Sequence, residues 1–319
     1  MRIVSLEPFV TDTLRSLGFS EQIVGVSHLC DQTPELKPAA IVTSAAMDNA
    51  GEGSSLGAPF KPLSIYTVLA EQLAQLRPTH VFVSPPRPAR LNLDYLASTA
   101  ISASLEEASR SLSAVAGSEV HVEAIGPCSL AQVFQSMTAI AKSLGRKDKG
   151  QELAQRMKAQ LMDWGDNFYD RMKNKRVTFL SSVLPLKLGG WWIPDLISLA
   201  SCGSQEPVSG GPHREVTWEE ILVFRPDVIV VAPEGLDYQA SLACFKVLEK
   251  IPGWEEAPAV KRGEVFFAEG DTLFHRPGPT LLDGMGVLVS AIAGIDSGYI
   301  TKRDSFVRLR FLEMQRHKF

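Results

Sequence analysis

The sequence is short of several things that would direct a reading at once. It has no basic excess: 32 Lys+Arg stand against 36 Asp+Glu, for a formal net charge of -4. No positive field is therefore available to follow a phosphate backbone or an anionic lipid surface. No apolar run approaches the length of a membrane span. Cysteine is scarce, and Cys30, Cys128, Cys202 and Cys244 form no CxxC pair and no metal-ligand spacing. They read as reduced, mostly buried thiols. Met1-Arg2-Ile3-Val4-Ser5-Leu6 enters a strand pattern directly, without a charged leader, an apolar core segment or a small-residue cleavage site. As written, the chain is expected in the cytoplasm, or in the periplasm or outside the cell if a leader was trimmed. There is no P-loop and no GxGxxG after a strand, which argues against nucleotide-dependent chemistry.

What is present is a stretch that occurs twice. Leu76-Arg77-Pro78-Thr79-His80-Val81-Phe82-Val83-Ser84-Pro85 and Phe224-Arg225-Pro226-Asp227-Val228-Ile229-Val230-Val231-Ala232-Pro233 share one pattern. Each follows a short amphipathic segment, Tyr66 to Leu76 or Thr217 to Phe224, whose helix must end near the proline. Each copy predicts helix, tight corner, buried strand. Unbroken apolar runs suit strands covered on both faces, and helix-then-strand order points to parallel sheets. A chain of 319 residues, 45% hydrophobic and 21% charged, has the length and composition of two globular domains.

The predicted fold is α/β: two α/β lobes with parallel sheets joined by one long helix, with a ligand cleft between the lobes. The boundaries fall at 1–127 for the first lobe, 128–174 for a helical linker and 175–319 for the second lobe. Lys147 to Met172 reads as a helix close to 40 Å long at roughly 1.5 Å per residue. Thr217 with Glu220 three residues on is a capping box. Residues Thr43 to Pro62 read as a loop near the cleft mouth. A helix is expected around Leu91 to Thr99 or Ser104 to Ala116, and Asp304 to Arg316 as a basic amphipathic helix.

Ligands of such sheets gather just outside the carboxyl ends of the strands. The candidates there are Glu7 and Pro8, His28, Ser84 and Pro85 in the first half, and Glu234 in the second. Trp191 and Trp192 follow Gly189-Gly190, which let the chain turn sharply. Rigid indoles suit a flat, partly apolar ligand, although one of the two can equally seal the lobe core. Phe274-His275-Arg276 precedes a Pro-Gly-Pro corner; His275 can donate a hydrogen bond or ligate a metal centre, and Arg276 can clamp a carboxylate or phosphate. His28, Cys30 and Asp31 are metal-capable types, but too close in sequence to complete a shell. No metal site and no catalytic residue is assigned.

Gly189-Gly190-Trp191-Trp192-Ile193-Pro194-Asp195-Leu196, Val216-Thr217-Trp218-Glu219-Glu220, Pro252-Gly253-Trp254 and Phe274-His275-Arg276-Pro277-Gly278-Pro279 resemble the class III substrate-binding proteins of ATP-driven (ABC) importers, most of all their vitamin B12-binding branch. Val4-Ser5-Leu6-Glu7-Pro8 and Gly25-Val26-Ser27-His28 extend the resemblance, which spans roughly residues 2 to 295. It implies two lobes joined by a long helix, cobalamin or a related corrinoid or metal chelate as ligand, and no covalent chemistry. It also implies a transporter permease as partner; nucleic acid is not expected, and the chain is expected to be a monomer. The alternative is a cytosolic enzyme or chaperone handling tetrapyrroles, with His28 or His275 as its base.

Overall fold

The computed structural model describes residues 1–36, 38–45, 66–84, 99–200, 202–295 and 306–309. The chain divides into two compact units, 1–127 with 135–154, and 128–134 with 155–319.

In the first unit the chain begins with β1 (Ile3–Ser5), α1 (Pro8–Ser16), β2 (Ile23–Val26), β3 (Ala40–Ile41) and β4 (Thr43–Ser44). It continues through β5 (Thr67–Val68), α2 (Ala70–Gln75), β6 (His80–Val83), α3 (Thr99–Ala116) and β7 (His121–Ala124). Five strands form a parallel sheet in the order β3-β2-β1-β6-β7. Alternation along β1 and β6 sends Ile3 and Phe82 into one core with Phe9, Val10 and Leu14 of α1. It sends Val4, Val81 and Val83 into another with Leu73 of α2 and Leu112 of α3. Sheet order reverses at β1, which has β2 on one side and β6 on the other, and ligands of open α/β sheets gather at such a reversal. Of the expected loop from Thr43 to Pro62, Thr43 and Ser44 pair instead with Thr67 and Val68 as a two-strand ladder; 46–62 lie outside the described residues, as do Pro85 and the Leu91 end of the expected helix.

The helices α4 (Leu130–Ser143) and α5 (Lys147–Asn167) each hold residues of both units. The expected long helix is shorter than predicted: at 21 residues, α5 measures about 32 Å. Phe168, at φ -112 and ψ 9, leaves the helical region before the short α6 (Tyr169–Met172) resumes it.

The second unit opens with β8 (Arg176–Val183), β9 (Leu186–Leu188), α7 (Ile193–Leu199), β10 (Gly203–Ser204), β11 (Arg214–Glu215), α8 (Trp218–Phe224) and β12 (Val228–Val231). It ends with α9 (Tyr238–Ala243), α10 (Phe245–Leu248), α11 (Pro258–Lys261), β13 (Val265–Ala268), α12 (Leu281–Ala293) and β14 (Phe306–Arg308). The sheet runs β11-β9-β8-β12-β13-β14, with β10 beside the start of β8. Its centre, β8-β12-β13, is parallel. Glu206 fills the gap between β10 and β9: its Oε1 accepts the Phe179 N–H at 2.6 Å. One face of the sheet, through Leu180, Ile229, Val231 and Phe267, packs on Trp218, Ile221, Phe245 and Trp254.

The expected C-terminal helix does not begin at Asp304 as predicted: 306–308 is strand, and helix is reached only at Leu309. Phe306–Arg308 pairs antiparallel with β13, Arg308 donates to the Gly263 carbonyl at 2.9 Å and to the Glu264 carboxylate, and Leu309 is buried. Edge pairing and these contacts override a helical periodicity, which is only a weak prior. Residues 310–319 lie outside the described set.

Candidate functional site

At the carboxyl end of β1, Glu7 is the residue before α1, and Pro8 occupies the first turn, where a missing N–H costs nothing. The Tyr66 hydroxyl donates to Glu7 Oε1 at 2.6 Å and also meets the Leu6 carbonyl. His28, beyond β2, presents its ring to Tyr66 edge-on, with centroids 5.6 Å apart. Thr43 Oγ1 lies 2.8 Å from His28 Nδ1 and accepts the His28 backbone N–H at 2.9 Å. Glu7, Pro8 and His28 are thus brought together, and Tyr66 and Thr43 are their unforeseen partners. Ser84 is buried at the end of β6, while Pro85 lies outside the described residues.

The second unit assembles a denser group. Residues 189–192 follow β9, and 209–213 lead into β11; the two loops are laced together by the Trp191 N–H to the Gly211 carbonyl and the Gly210 N–H to the Trp191 carbonyl at 2.8 Å. Trp191 adopts φ 58, a left-handed conformation that costs a non-glycine residue about 1–2 kcal/mol, so these bonds hold it against its own preference. A Cβ on Gly190 would lie 2.4 Å from the Pro212 carbonyl carbon and 2.5 Å from the His213 nitrogen; only glycine admits this approach. The Gly190 N–H donates to His213 Nδ1 at 2.8 Å.

His213 is the residue that sequence reasoning missed. Its ring lies edge-on to Trp191 at 6.2 Å and to His275 at 5.5 Å, and its Nε2 is 3.3 Å from a carboxylate oxygen of Glu234. Glu234 follows β12, and its side chain is 49% exposed. His275 ends a single π-helical turn, Asp271–His275, after β13. Its Nε2 bonds the Ala232 carbonyl at 2.9 Å, and burial pushes its pKa down to about 4, with Glu234 opposing that shift and His213 adding to it. Gly270, at the start of the turn, sits so close to the Pro233 carbonyl that a Cβ would lie 1.8 Å from its oxygen. That approach ties the loops after β12 and β13 together.

Two expected site residues are core groups instead. Trp192 is 1% exposed and Phe274 fully buried; the Trp192 indole N–H donates to the Phe274 carbonyl at 2.7 Å, and Phe274 packs on Phe179 at 5.0 Å. Neither presents a face to a ligand, because the glycine-led turn aims Trp192 inward as the start of α7. Arg276 is also committed within the unit: Nη2 and Nε bond Asp271 Oδ2 at 2.7 and 3.2 Å, so it braces the π-turn rather than reaching for an anion.

One donor atom from each of His213, Glu234 and His275 lies within 4.8 Å of the others, and two imidazoles with a carboxylate are a donor set that divalent transition metals accept. The tautomer speaks against that use. With Nδ1 accepting the Gly190 N–H, the ring proton of His213 sits on Nε2, the nitrogen whose lone pair a cation would need. A separate cavity of about 270 Å³ between Lys175, Asp227, Arg262 and Glu264 opens at the amino ends of the strands and is walled by the Arg262–Asp227 pair at 2.9 Å, far in topology from these groups.

The profile of the family described as periplasmic binding protein matches residues 3–272. Among curated proteins, the uncharacterized ABC transporter substrate-binding lipoprotein YvrC of Bacillus subtilis is 25% identical over 175 residues, 51% of each chain; the chain spans about half the length of that relative. Solved structures of similar fold include the periplasmic vitamin B12-binding protein BtuF of Vibrio cholerae, with 18% identity, TM-score 0.60 and coverage of 91% of this chain and 96% of that one. The periplasmic heme-binding protein RhuT of Roseiflexus sp. RS-1 gives 20%, 0.63, 92% and 98%. An ABC transporter substrate-binding protein of Listeria monocytogenes EGD-e gives 14%, 0.65, 92% and 99%. A periplasmic family and a lipoprotein relative overturn the cytoplasmic expectation; the placement they indicate is extracytoplasmic.

Proposed function

Since the chain belongs to the periplasmic binding protein family, a family of solute binders rather than enzymes, we propose that it is the substrate-binding component of an ABC importer and that it carries a tetrapyrrole-type metal chelate, cobalamin or a related corrinoid. The observation that carries this reading is the ring group of the second unit. There an indole held in left-handed backbone, Trp191, stands beside His213, with Glu234 and His275 at hand. A rigid aromatic flanked by a few fixed polar groups is what a large, flat, partly apolar ligand with a polar periphery requires. The vitamin B12- and heme-binding proteins of similar fold support the same ligand class. Glu7, Pro8, His28 and Ser84 are assigned to the ligand-facing strand ends of the first unit, and a permease to the partner.

The test is a titration with cyanocobalamin and, separately, with haem, followed by tryptophan fluorescence and by the ligand's own absorbance. Saturable binding of one ligand per chain supports the reading. An unchanged signal with both ligands in large excess removes it.

A further inference from the structure

The Gly190–His213 bond fixes more than a ring angle. Because Nδ1 accepts a backbone N–H, whose proton is not negotiable, Nε2 must carry the proton of the imidazole and act as a donor. That donor is buried and, among the described residues, has no hydrogen-bond partner. The Glu234 carboxylate oxygen at 3.3 Å is within range but makes no hydrogen bond to it. A buried donor without an aligned acceptor is unusual in a folded protein, and its natural completion is an acceptor atom from outside. Beside it stands a carboxylate, an acceptor only, half exposed to whatever approaches.

From this juxtaposition we propose that His213 and Glu234 form a subsite for a primary amide on the ligand's rim. His213 Nε2–H donates to the amide oxygen, and the Glu234 carboxylate accepts from the amide NH2. A donor and an acceptor side by side match the two ends of one planar carboxamide. They do not match a carboxylate, which would meet Glu234 as a like charge and offer it no proton. The proposal rests on the tetrapyrrole reading and deepens it. Corrins carry primary amides around the ring, whereas haem carries propionate carboxylates, so the pair selects the amide-bearing class.

The test compares like macrocycles that differ only in these groups: cyanocobalamin against a corrin whose side chains are free carboxylates, and haem bis-amide against haem. Affinities are measured by fluorescence titration for the wild type, Glu234→Gln and His213→Ala. The amide form is expected to bind more tightly within whichever macrocycle binds. Glu234→Gln should cut that preference by about ten- to hundredfold, the worth of one charge-assisted hydrogen bond. His213→Ala should weaken the amide form more than the carboxylate form. Circular dichroism checks that both variants fold, and the exposed Glu234 carries the decision if His213→Ala does not. An amide-to-carboxylate ratio that Glu234→Gln leaves unchanged overturns the subsite and leaves the tetrapyrrole reading standing. Failure of all four ligands to bind overturns that reading, and the subsite with it.

Discussion

Gly190 gives its backbone N–H to the Nδ1 atom of His213 at 2.8 Å, and the contact exists only because residue 190 has no side chain. In Gly190→Ala the new Cβ would stand 2.4–2.6 Å from backbone atoms of Gly211, Pro212 and His213, none of which can swing aside. The two loops must separate, at a cost of about 1–3 kcal/mol. Urea unfolding should show that loss, and titration of the folded variant should show weakened ligand binding, since both Trp191 and His213 lose their support. Wild-type stability and affinity in this variant would mean that the loops are not locked as described.

The two adjacent indoles should separate in experiment. Trp192→Ala opens a large cavity in the core and frees the Phe274 carbonyl, so stability should fall by about 3–5 kcal/mol. Trp191→Ala should cost less stability, because Trp191 is 8% exposed against 1% for Trp192 and gives up a left-handed backbone conformation, and should weaken ligand binding more. The opposite ranking would exchange their roles.

The repeated Arg-Pro stretch was legible because its physics is local. Proline ends the helix, and the residue before it turns the corner: Arg77 at φ 46 and Arg225 at φ 55 take the same left-handed conformation, followed by β6 and β12. The capping box of Thr217 and Glu220 is likewise contained in four residues and forms as expected. What sequence did not yield depends on distant segments meeting. Tyr66 reaches Glu7 across 59 positions, and Gly190 reaches His213 across 23. The only hint of His213 was its place after a Gly-Gly-Pro loop. Trp191 and Trp192 are the same residue type at successive positions, and nothing in composition tells which one is the more deeply buried. The strand Phe306–Arg308 failed as a prediction because its partner β13, not its own periodicity, decides its state.

The two corners share a further device that can be measured. Thr79 Oγ1 accepts the Arg2 N–H at 3.0 Å, and Asp227 Oδ2 accepts the Arg176 N–H at 2.9 Å. In each unit the residue after the proline thus caps the start of the neighbouring strand. Asp227 also holds Arg262 at 2.9 Å. Asp227→Ala should therefore destabilise by about 1–3 kcal/mol and Thr79→Val by about 1 kcal/mol. Chemical denaturation of the two variants reads both, and a larger loss for Thr79→Val would show that the charge at Asp227 adds nothing.

The Cys30, Cys202 and Cys244 thiols should react slowly in the folded protein. Burial raises the pKa of Cys30, which lies against the Thr11 and Ser27 hydroxyls; burial also raises Cys244 and pushes Cys202 up to about 11, against the lowering influence of Lys175. At pH 8 only about a thousandth of Cys202 would be thiolate. Iodoacetamide labelling followed by mass spectrometry should find Cys202 modified at least about a hundredfold more slowly in native protein than in urea-unfolded protein. Equal rates would contradict its burial.

Two groups of the second unit, buried His275 and half-buried Glu206, pull stability in opposite directions with pH. The folded chain keeps His275 neutral down to about pH 4, whereas the ordinary value is 6.5. Between those values the unfolded chain binds a proton that the folded chain refuses, so this group makes stability rise with pH, by roughly 3 kcal/mol at most. Burial raises Glu206 from 4.5 to about 7, against the hydrogen bonds from Ser204 and the Phe179 N–H. Over that interval the folded chain holds the extra proton, and stability falls as pH rises; the residue is partly exposed, so its share is the smaller. In the wild type the two slopes oppose each other from about pH 4.5 to 6.5. His275→Gln, which keeps a donor for the Ala232 carbonyl, should leave the Glu206 slope alone, and its urea midpoint should fall from pH 4.5 to 7. Glu206→Gln should leave the His275 slope, with a midpoint that climbs from pH 4 to 6.5. If both variants track the wild type across this window, neither group is coupled to folding. If only the His275→Gln profile departs, the Glu206 carboxyl is reached by solvent and its hydrogen bond to the Phe179 N–H is not what closes the gap in the sheet.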